Sequence, residues 1–212
     1  MTLIAPPPLS SLIRSASADD HRDTESRPFI TRLMGGELSL EAYTRYLAQL
    51  AWVYEALESR PADGTAIFDP RLIRMPSIES DLVALDAPDW RTTHPASPAT
   101  AAYAAHLRSL IASADSTDHT VRYLAHHYAR YLGDLSGGQA VAARVARNYG
   151  AAPEQLSFAR FPAELGSVVD AKRRYRTQLD ELVLSAAEVD ALLAEVRVAF
   201  AGNGALFDEL TP

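Results

Sequence analysis

One carboxylate in this sequence stands in a setting that suggests chemistry. Asp134 lies between two glycines, Gly133 and Gly137, in the middle of an otherwise helical stretch. An interior glycine costs a helix about 1 kcal/mol relative to alanine, and glycine is used where another body must approach the backbone closely. Residues four apart share one helix face. The pattern therefore predicts a flat or bulky ligand against this face, although close packing of another helix is the alternative for a lone glycine pair.

A histidine and a glutamate form a second candidate site. His21 and Glu25 fall on one helical stripe with Arg14 and Ala18. A neutral imidazole is a common metal ligand, and a carboxylate one turn away can accept a hydrogen bond from its other nitrogen. The alternative is an exposed helical pair that contributes only about a few tenths of a kcal/mol.

A basic cluster is the third candidate, in a chain whose formal net charge is -7. In the segment "KRRYR", residues 172–176, Lys172 and Arg176 are four apart and share a face. Such cations could bind the carboxylates of a ligand. A charge run of this kind is more often simply a solvated helix face.

The elements that must position these residues are helical. Apolar residues recur at helical spacing almost everywhere, and alternating patterns typical of strands are hard to find. We therefore predict a single all-α domain over residues 9–212, preceded by a flexible segment at residues 1–8. The predicted helices cover about 9–26, 29 to the glycines at 35 and 36, 39–59, 78–85, 99–112, 118–150, 164–182, and 185 to a Gly-Asn-Gly stop at 202–204.

Composition excludes several classes of function. The chain of 212 residues has no cysteine, which rules out disulfides, thiolate metal sites and cysteine nucleophiles. Its acidic charge disfavours nucleic acid as a partner. No apolar run approaches the roughly 20 residues of a membrane span, so we expect no span and a cytoplasmic location.

Two stretches resemble segments of a known family. "HHYARYLGDLSGGQ", residues 126–139, closely resembles the signature of heme oxygenases, particularly the soluble bacterial ones. "HRDTESRPF", residues 21–29, resembles the proximal segment of that family, in which histidine precedes glutamate by four residues and phenylalanine by eight. The resemblance extends over about residues 9–210. It implies an all-α fold with heme between a proximal helix and a kinked distal helix.

The resemblance also implies roles for particular residues. His21 would be the axial iron ligand and Glu25 the group that fixes its tautomer. Gly133 and Gly137 would let the distal helix lie over the heme face, while Asp134 would organise the water that delivers protons. The remaining implied positions are the propionate contacts Arg14, Tyr128, Lys172 and Arg176, the polar network of Tyr54, Arg130 and Asn203, and the apolar wall at Phe200.

The implied activity is oxidative opening of heme, which would be both cofactor and substrate. Dioxygen and reducing equivalents would yield biliverdin, carbon monoxide and ferrous iron, with iron acquisition as the expected purpose. The electron donor would be a ferredoxin or a flavoprotein reductase that docks near the basic heme edge by charge complementarity.

Two other classes of protein remain as alternatives. A non-catalytic heme carrier would need the same axial histidine but not the frustrated helix around Asp134. A fold relative with different chemistry is less suited to this chain, because a thiamin-degrading hydrolase would use a cysteine nucleophile and a di-iron oxidase would use Glu-x-x-His pairs. The sequence contains neither.

Overall fold

Helices account for all the regular structure of the described chain. The computed structural model describes residues 7–60, 67–112 and 117–211, so the predicted flexible segment at residues 1–8 falls largely outside it. The α-helices within these ranges are α1 (Leu9–Ala16), α2 (Ala18–Glu25), α3 (Pro28–Gly35), α4 (Leu40–Leu57), α5 (Met75–Ala84), α6 (Trp90–Thr93), α7 (Pro98–Ala112), α8 (Thr117–Gly133), α9 (Gln139–Tyr149), α10 (Val168–Asp180) and α11 (Ala186–Leu210). A five-residue π-helical turn, Asp134–Gly138, joins α8 to α9. The all-α prediction is confirmed, and none of the described helices is both long and apolar enough to cross a membrane.

The core lies where α4, α8 and α11 meet, with α7 packed against all three. Each of these helices turns an apolar stripe inward, as its sequence periodicity predicts. In α11 the buried positions follow one another at steps of three and four residues: Leu192, Val196, Ala199, Asn203 and Leu206. These helices form the frame that holds the candidate site.

Local chemistry sets several helix ends as predicted. The Ser39 hydroxyl accepts a hydrogen bond from the backbone N–H of Ala42 and caps α4. Ser185 and Glu188 form a reciprocal capping box at the start of α11. Gly150 adopts a left-handed φ of 70° and terminates α9.

The predicted stop at residues 202–204 is wrong, because α11 continues through both glycines to Leu210. A Cβ added at Gly202 would lie 3.0 Å from the ring of Tyr103, and one added at Gly204 would lie 3.5 Å from the guanidinium of Arg27. These glycines make room for neighbours from other helices. They do not end the helix.

Two other boundaries also differ from the predictions. The first predicted helix is divided at Ser17, whose hydroxyl donates to the carbonyl of Ile13 at 2.8 Å; such back-bonding is associated with helix bends. The helix predicted from about residue 164 begins only at Val168, since Gly166 has a φ of 75° and Ser167 caps the first turn. Both changes depend on backbone conformation at single residues.

Candidate functional site

The π-helical turn is the irregular feature around which the candidate site is built. Such turns occur frequently at functional sites within α-helices. Gly133 and Gly137 are exposed, and a Cβ added at either would meet no described atom within 4 Å. Gly202, by contrast, packs against the ring of Tyr103. Close packing of another described helix therefore does not explain why residues 133 and 137 are glycine. This backbone face is therefore accessible to a ligand.

A chain of hydrogen bonds links three helices behind this face. The Tyr54 hydroxyl, on α4, donates to Oδ2 of Asp134. Arg130 Nε, on α8, donates to the Tyr54 oxygen at 3.2 Å, and Arg130 Nη1 donates to Oδ1 of Asn203 on α11 at 2.6 Å. The structure thus brings together four residues that are scattered along the sequence.

Burial and charge set the protonation of this network. Burial raises the pKa of Tyr54 well above its usual value, so the phenol keeps its proton and acts as a donor. Burial also raises the pKa of Asp134, while the Arg130 charge and the Tyr54 hydrogen bond oppose that rise. The Tyr54 hydrogen bond therefore orients the carboxyl group of Asp134. The raised pKa means that this group loses its proton less readily than a carboxyl group in water.

Two residues of this region were missed by sequence analysis. Tyr46 is close enough to the network for the Arg130 charge to act on its phenol. That charge opposes the burial that raises the pKa of Tyr46. It stands eight residues before Tyr54 on α4, so helical spacing could have revealed it. Arg74 is fully buried and its charge acts on Asp134, but it lies in a loop-rich region that offered no signal.

His21 and Glu25 form a pair on α2. His21 Nδ1 lies 3.2 Å from Glu25 Oε2, and the histidine side chain is 51% exposed. Its ring and the ring of Phe200 form a T-shaped pair with centroids 5.7 Å apart. With Nδ1 directed to the carboxylate, Nε2 is the ring nitrogen that remains for a ligand.

Cations from two helices converge on one phenol. Burial raises the pKa of Tyr128 on α8, and the charges of Arg176 on α10 and Arg14 on α1 both oppose that rise. Helices α1 and α10 are joined by Ser10, whose backbone N–H and hydroxyl donate to Asp180 at 2.8 and 3.0 Å. Lys172 lies one turn before Arg176 on α10. This edge of the molecule can receive an anionic group.

The two histidines that precede the glycines are buried and hydrogen-bonded. His127 Nδ1 lies 2.8 Å from the Tyr175 hydroxyl, and both nitrogens of His126 have partners within the described chain. Burial lowers the pKa of His127 to about 3, with a smaller contribution from the Arg60 charge. His127 is therefore a neutral residue of the interior.

His127→Gln should make the stability less sensitive to acid. The unfolded chain binds the His127 proton at about pH 6.5, whereas the folded chain binds it only near pH 3, so stability falls as the pH falls through this window. Glutamine can keep a hydrogen bond to Tyr175 but does not titrate. Between about pH 6.5 and pH 3, the free energy of unfolding of the wild type should fall by up to about 5 kcal/mol more than that of the variant.

Urea unfolding at a series of pH values tests this expectation. His94→Gln serves as the matched control, because the hydrogen bonds described for His94 are made by its backbone N–H and carbonyl, which the substitution retains. The control should follow the wild-type profile. Parallel profiles for the wild type and His127→Gln would contradict the assignment of a buried neutral imidazole.

Known proteins of one family are similar to this chain in sequence and in fold. The chain matches the family model described as heme oxygenase over residues 7–209. It is 31% identical to heme oxygenase 1 of Bos taurus over 97% of this chain and 72% of that protein. Its fold is similar to a crystal structure of heme oxygenase-1 from the cyanobacterium Synechocystis sp. PCC6803 in complex with heme, with a TM-score of 0.86, 28% identity and coverage of 97% of this chain and 93% of that one. It is also similar to the heme oxygenase of Leptospira interrogans, with a TM-score of 0.87, 30% identity and coverage of 96% and 100%.

Proposed function

The chain belongs to the heme oxygenase family, and from that premise we propose how its own residues act. The protein degrades heme by oxidative opening of the macrocycle. Dioxygen and reducing equivalents are consumed, and biliverdin, carbon monoxide and ferrous iron are formed. Heme is the substrate, and its iron supplies the site at which dioxygen is activated.

The residues present fit heme on three separate counts. The exposed glycine backbone at 133 and 137 can accept a flat face without steric conflict. The accessible His21 offers Nε2 as an iron ligand, a common role for a neutral imidazole. The basic edge at Tyr128 can bind carboxylates through charge-assisted hydrogen bonds. We assign the heme propionates to Arg14, Tyr128, Lys172 and Arg176.

On the proximal side, Glu25 positions the ligand. Its Oε2 lies 3.2 Å from Nδ1 of His21 and can accept a hydrogen bond from it, which would fix the tautomer and increase the basicity of Nε2. Phe200 packs against the same ring in a T-shaped arrangement and restricts its rotation. These two residues prepare His21 for iron before heme arrives.

On the distal side, Asp134 handles protons. Tyr54 holds Oδ2, so Oδ1 is the oxygen available to hydrogen-bond an ordered water molecule. Arg130 and Asn203 keep Tyr54 in place from behind. A carboxyl group whose pKa is raised by burial can pass a proton to such water and recover it.

One observation carries this proposal: the exposed backbone of Gly133 and Gly137 lies next to the Asp134 side chain, which Tyr54 holds by a hydrogen bond. Reconstitution with hemin, followed by reductant and dioxygen, tests it. Chromatography should identify biliverdin, and trapping should detect ferrous iron. A non-catalytic heme carrier would instead retain its Soret absorbance under the same conditions.

The external electron donor is the remaining component of the reaction. A ferredoxin or a flavoprotein reductase with an acidic face would be guided to the basic edge formed by Arg14, Lys172 and Arg176. Because that edge also binds the propionates, electrons would enter close to the heme. Release of ferrous iron is consistent with a role in iron acquisition.

Gly133→Leu should separate heme binding from folding. Gly133 has a helical φ of -61°, it is exposed, and a Cβ added there would meet no described atom within 4 Å, so the substitution should leave the heme-free protein as stable or raise its stability by about 1 kcal/mol. The leucine side chain would occupy the face that heme must approach. Hemin affinity, measured by titration of the Soret absorbance, should fall at least about tenfold.

Gly202→Ala is the matched control for this substitution. Its Cβ would lie 3.0 Å from the Tyr103 ring, so stability should fall by about 1–3 kcal/mol while hemin affinity stays close to wild type. Gly133→Leu protein that binds hemin normally would show that heme does not approach this face.

A further inference from the structure

Two histidines and a glutamate lie together at a point that the proposed reaction does not use. His106 on α7, His126 on α8 and Glu195 on α11 each direct one ligand atom to a common point, and these atoms lie within 4.8 Å of one another. His126 Nε2 is 2.9 Å from Glu195 Oε1, and His106 Nε2 contacts the same oxygen. His126 and Glu195 are buried, whereas the His106 side chain is 37% exposed.

We propose that His106, His126 and Glu195 bind a divalent first-row transition-metal ion. Two imidazole nitrogens and one carboxylate oxygen are a donor set used for zinc and for non-heme ferrous iron. Ligand atoms at about 2.0–2.1 Å from a tetrahedral zinc ion are about 3.3 Å apart. Shifts of about 1 Å or less in the side chains would therefore convert the present cluster into a coordination shell. Solvent at the exposed side of His106 provides an entry path and a fourth ligand.

Neighbouring residues hold the ligands as they are held in metal sites. His126 Nδ1 lies 3.1 Å from the Tyr103 hydroxyl, so a proton on Nδ1 can be donated to that oxygen while Nε2 binds the metal. Arg122 Nη1 donates to Oε2 of Glu195 at 3.0 Å, which leaves Oε1 for the ion. Arg122 also pairs with Asp118 at 2.8 Å, and that carboxylate offsets part of its positive charge.

Both oxygens of the Glu195 carboxylate already have partners. Oε1 lies within hydrogen-bond distance of Nε2 of both His126 and His106, and Oε2 accepts from Arg122. A metal ion would replace the contacts between the two Nε2 atoms and Oε1. The proton of a neutral imidazole would then move from Nε2 to Nδ1, which in His126 faces the Tyr103 hydroxyl.

This site is distinct from the heme site but shares two of its helices. His126 precedes Asp134 by eight residues on α8 and its continuation, and Glu195 precedes Asn203 by eight residues on α11. Eight residues correspond to about 12 Å along a helix. A metal ion here would tie α7, α8 and α11 together, about one turn from Arg130 on α8 and about two turns from Asn203 on α11. The proposed reaction itself releases ferrous iron, so ferrous iron from heme is one candidate for the bound ion, and zinc from solution is the other.

Cobalt and zinc binding to the heme-free protein test the site directly. His21→Ala serves as the background, because the exposed His21–Glu25 pair could bind metal on its own. In that background we expect one equivalent of zinc to bind with a Kd of about 10 μM or tighter and to raise the Tm. Cobalt should give the intense visible absorbance of a four- or five-coordinate ion, and magnesium should not compete.

Variants identify the ligands. His106→Gln and Glu195→Gln should each weaken zinc binding at least about tenfold and remove the cobalt absorbance, while His94→Gln should leave both unchanged. If the buried Glu195→Gln protein does not fold, the half-exposed His106→Gln variant decides the outcome. Unaltered zinc affinity in His106→Gln, or no stoichiometric zinc binding in the background protein, overturns the proposal.

Anaerobic titration with ferrous iron tests whether the cluster binds iron as well as zinc. Only the link to iron released from heme depends on the proposed function. Zinc binding without ferrous binding keeps the site and removes that link. Failure of heme degradation would leave the zinc and cobalt results unaffected, so failures of the two proposals can be told apart.

Discussion

Asp134→Ala protein should bind hemin but form biliverdin at least about 100-fold more slowly than the wild type, since a positioned acid–base group contributes about 100- to 10,000-fold. The substitution leaves His21, the proposed iron ligand on α2, untouched, so binding is retained. It removes the carboxylate that Tyr54 orients and that would hold the proton-carrying water. Dioxygen would then be reduced without productive attack on the macrocycle.

Single-turnover absorbance and chromatography of the products measure this effect. Asp134→Asn is a close structural analogue, because its amide can keep the Tyr54 contact but cannot supply the proton; it should also be slow. Glu154→Ala, which removes an exposed carboxylate from a short 3₁₀ turn, is the control and should behave like the wild type. Undiminished biliverdin formation by Asp134→Ala would remove this residue from the mechanism.

His21→Ala should abolish axial coordination of the iron by the protein. The expected results are a changed Soret and visible spectrum of the hemin complex and a fall in ring opening of about 100-fold or more. His21 is half-exposed and its ring is held by Glu25 and Phe200, so its removal leaves a gap that small molecules can enter. Added imidazole should restore much of the wild-type spectrum.

The recovery with imidazole distinguishes ligation from a structural role, because a folding defect would not respond to a free ligand. His94→Ala controls for the loss of a histidine elsewhere, since the His94 backbone carbonyl still accepts from Trp52 Nε1. A coordination spectrum that is identical in His21→Ala and in the wild type would eliminate His21 as the ligand.

The parts of the fold that depend on neighbours in sequence were predicted well. Helical periodicity identified nearly all the long helices, because residues three and four apart share a face whatever the helix packs against. The capping box at Ser185 is equally local. For the same reason spacing alone predicts the His21–Glu25 pair, one turn apart on α2, and the two side chains lie 3.2 Å apart.

Features that depend on distant residues were not predictable in this way. Gly202 was interpreted as a helix stop, because its sequence neighbours give no sign of the Tyr103 ring that packs against it. Arg74 acts on Asp134 from a loop 60 residues earlier in the chain. The cluster of His106, His126 and Glu195 has no characteristic spacing, since three separate helices contribute one residue each.

The sequence by itself determined the all-α class, the family through the segments at residues 21–29 and 126–139, and the set of candidate residues. Only the tertiary structure decided that Gly133 and Gly137 face open space while Gly202 and Gly204 face other side chains. It also decided that Tyr54, Arg130 and Asn203 converge on one another and on Asp134. The physical reason is range: helix periodicity and capping are settled within one or two turns, whereas side chains on different helices meet only after those helices have packed.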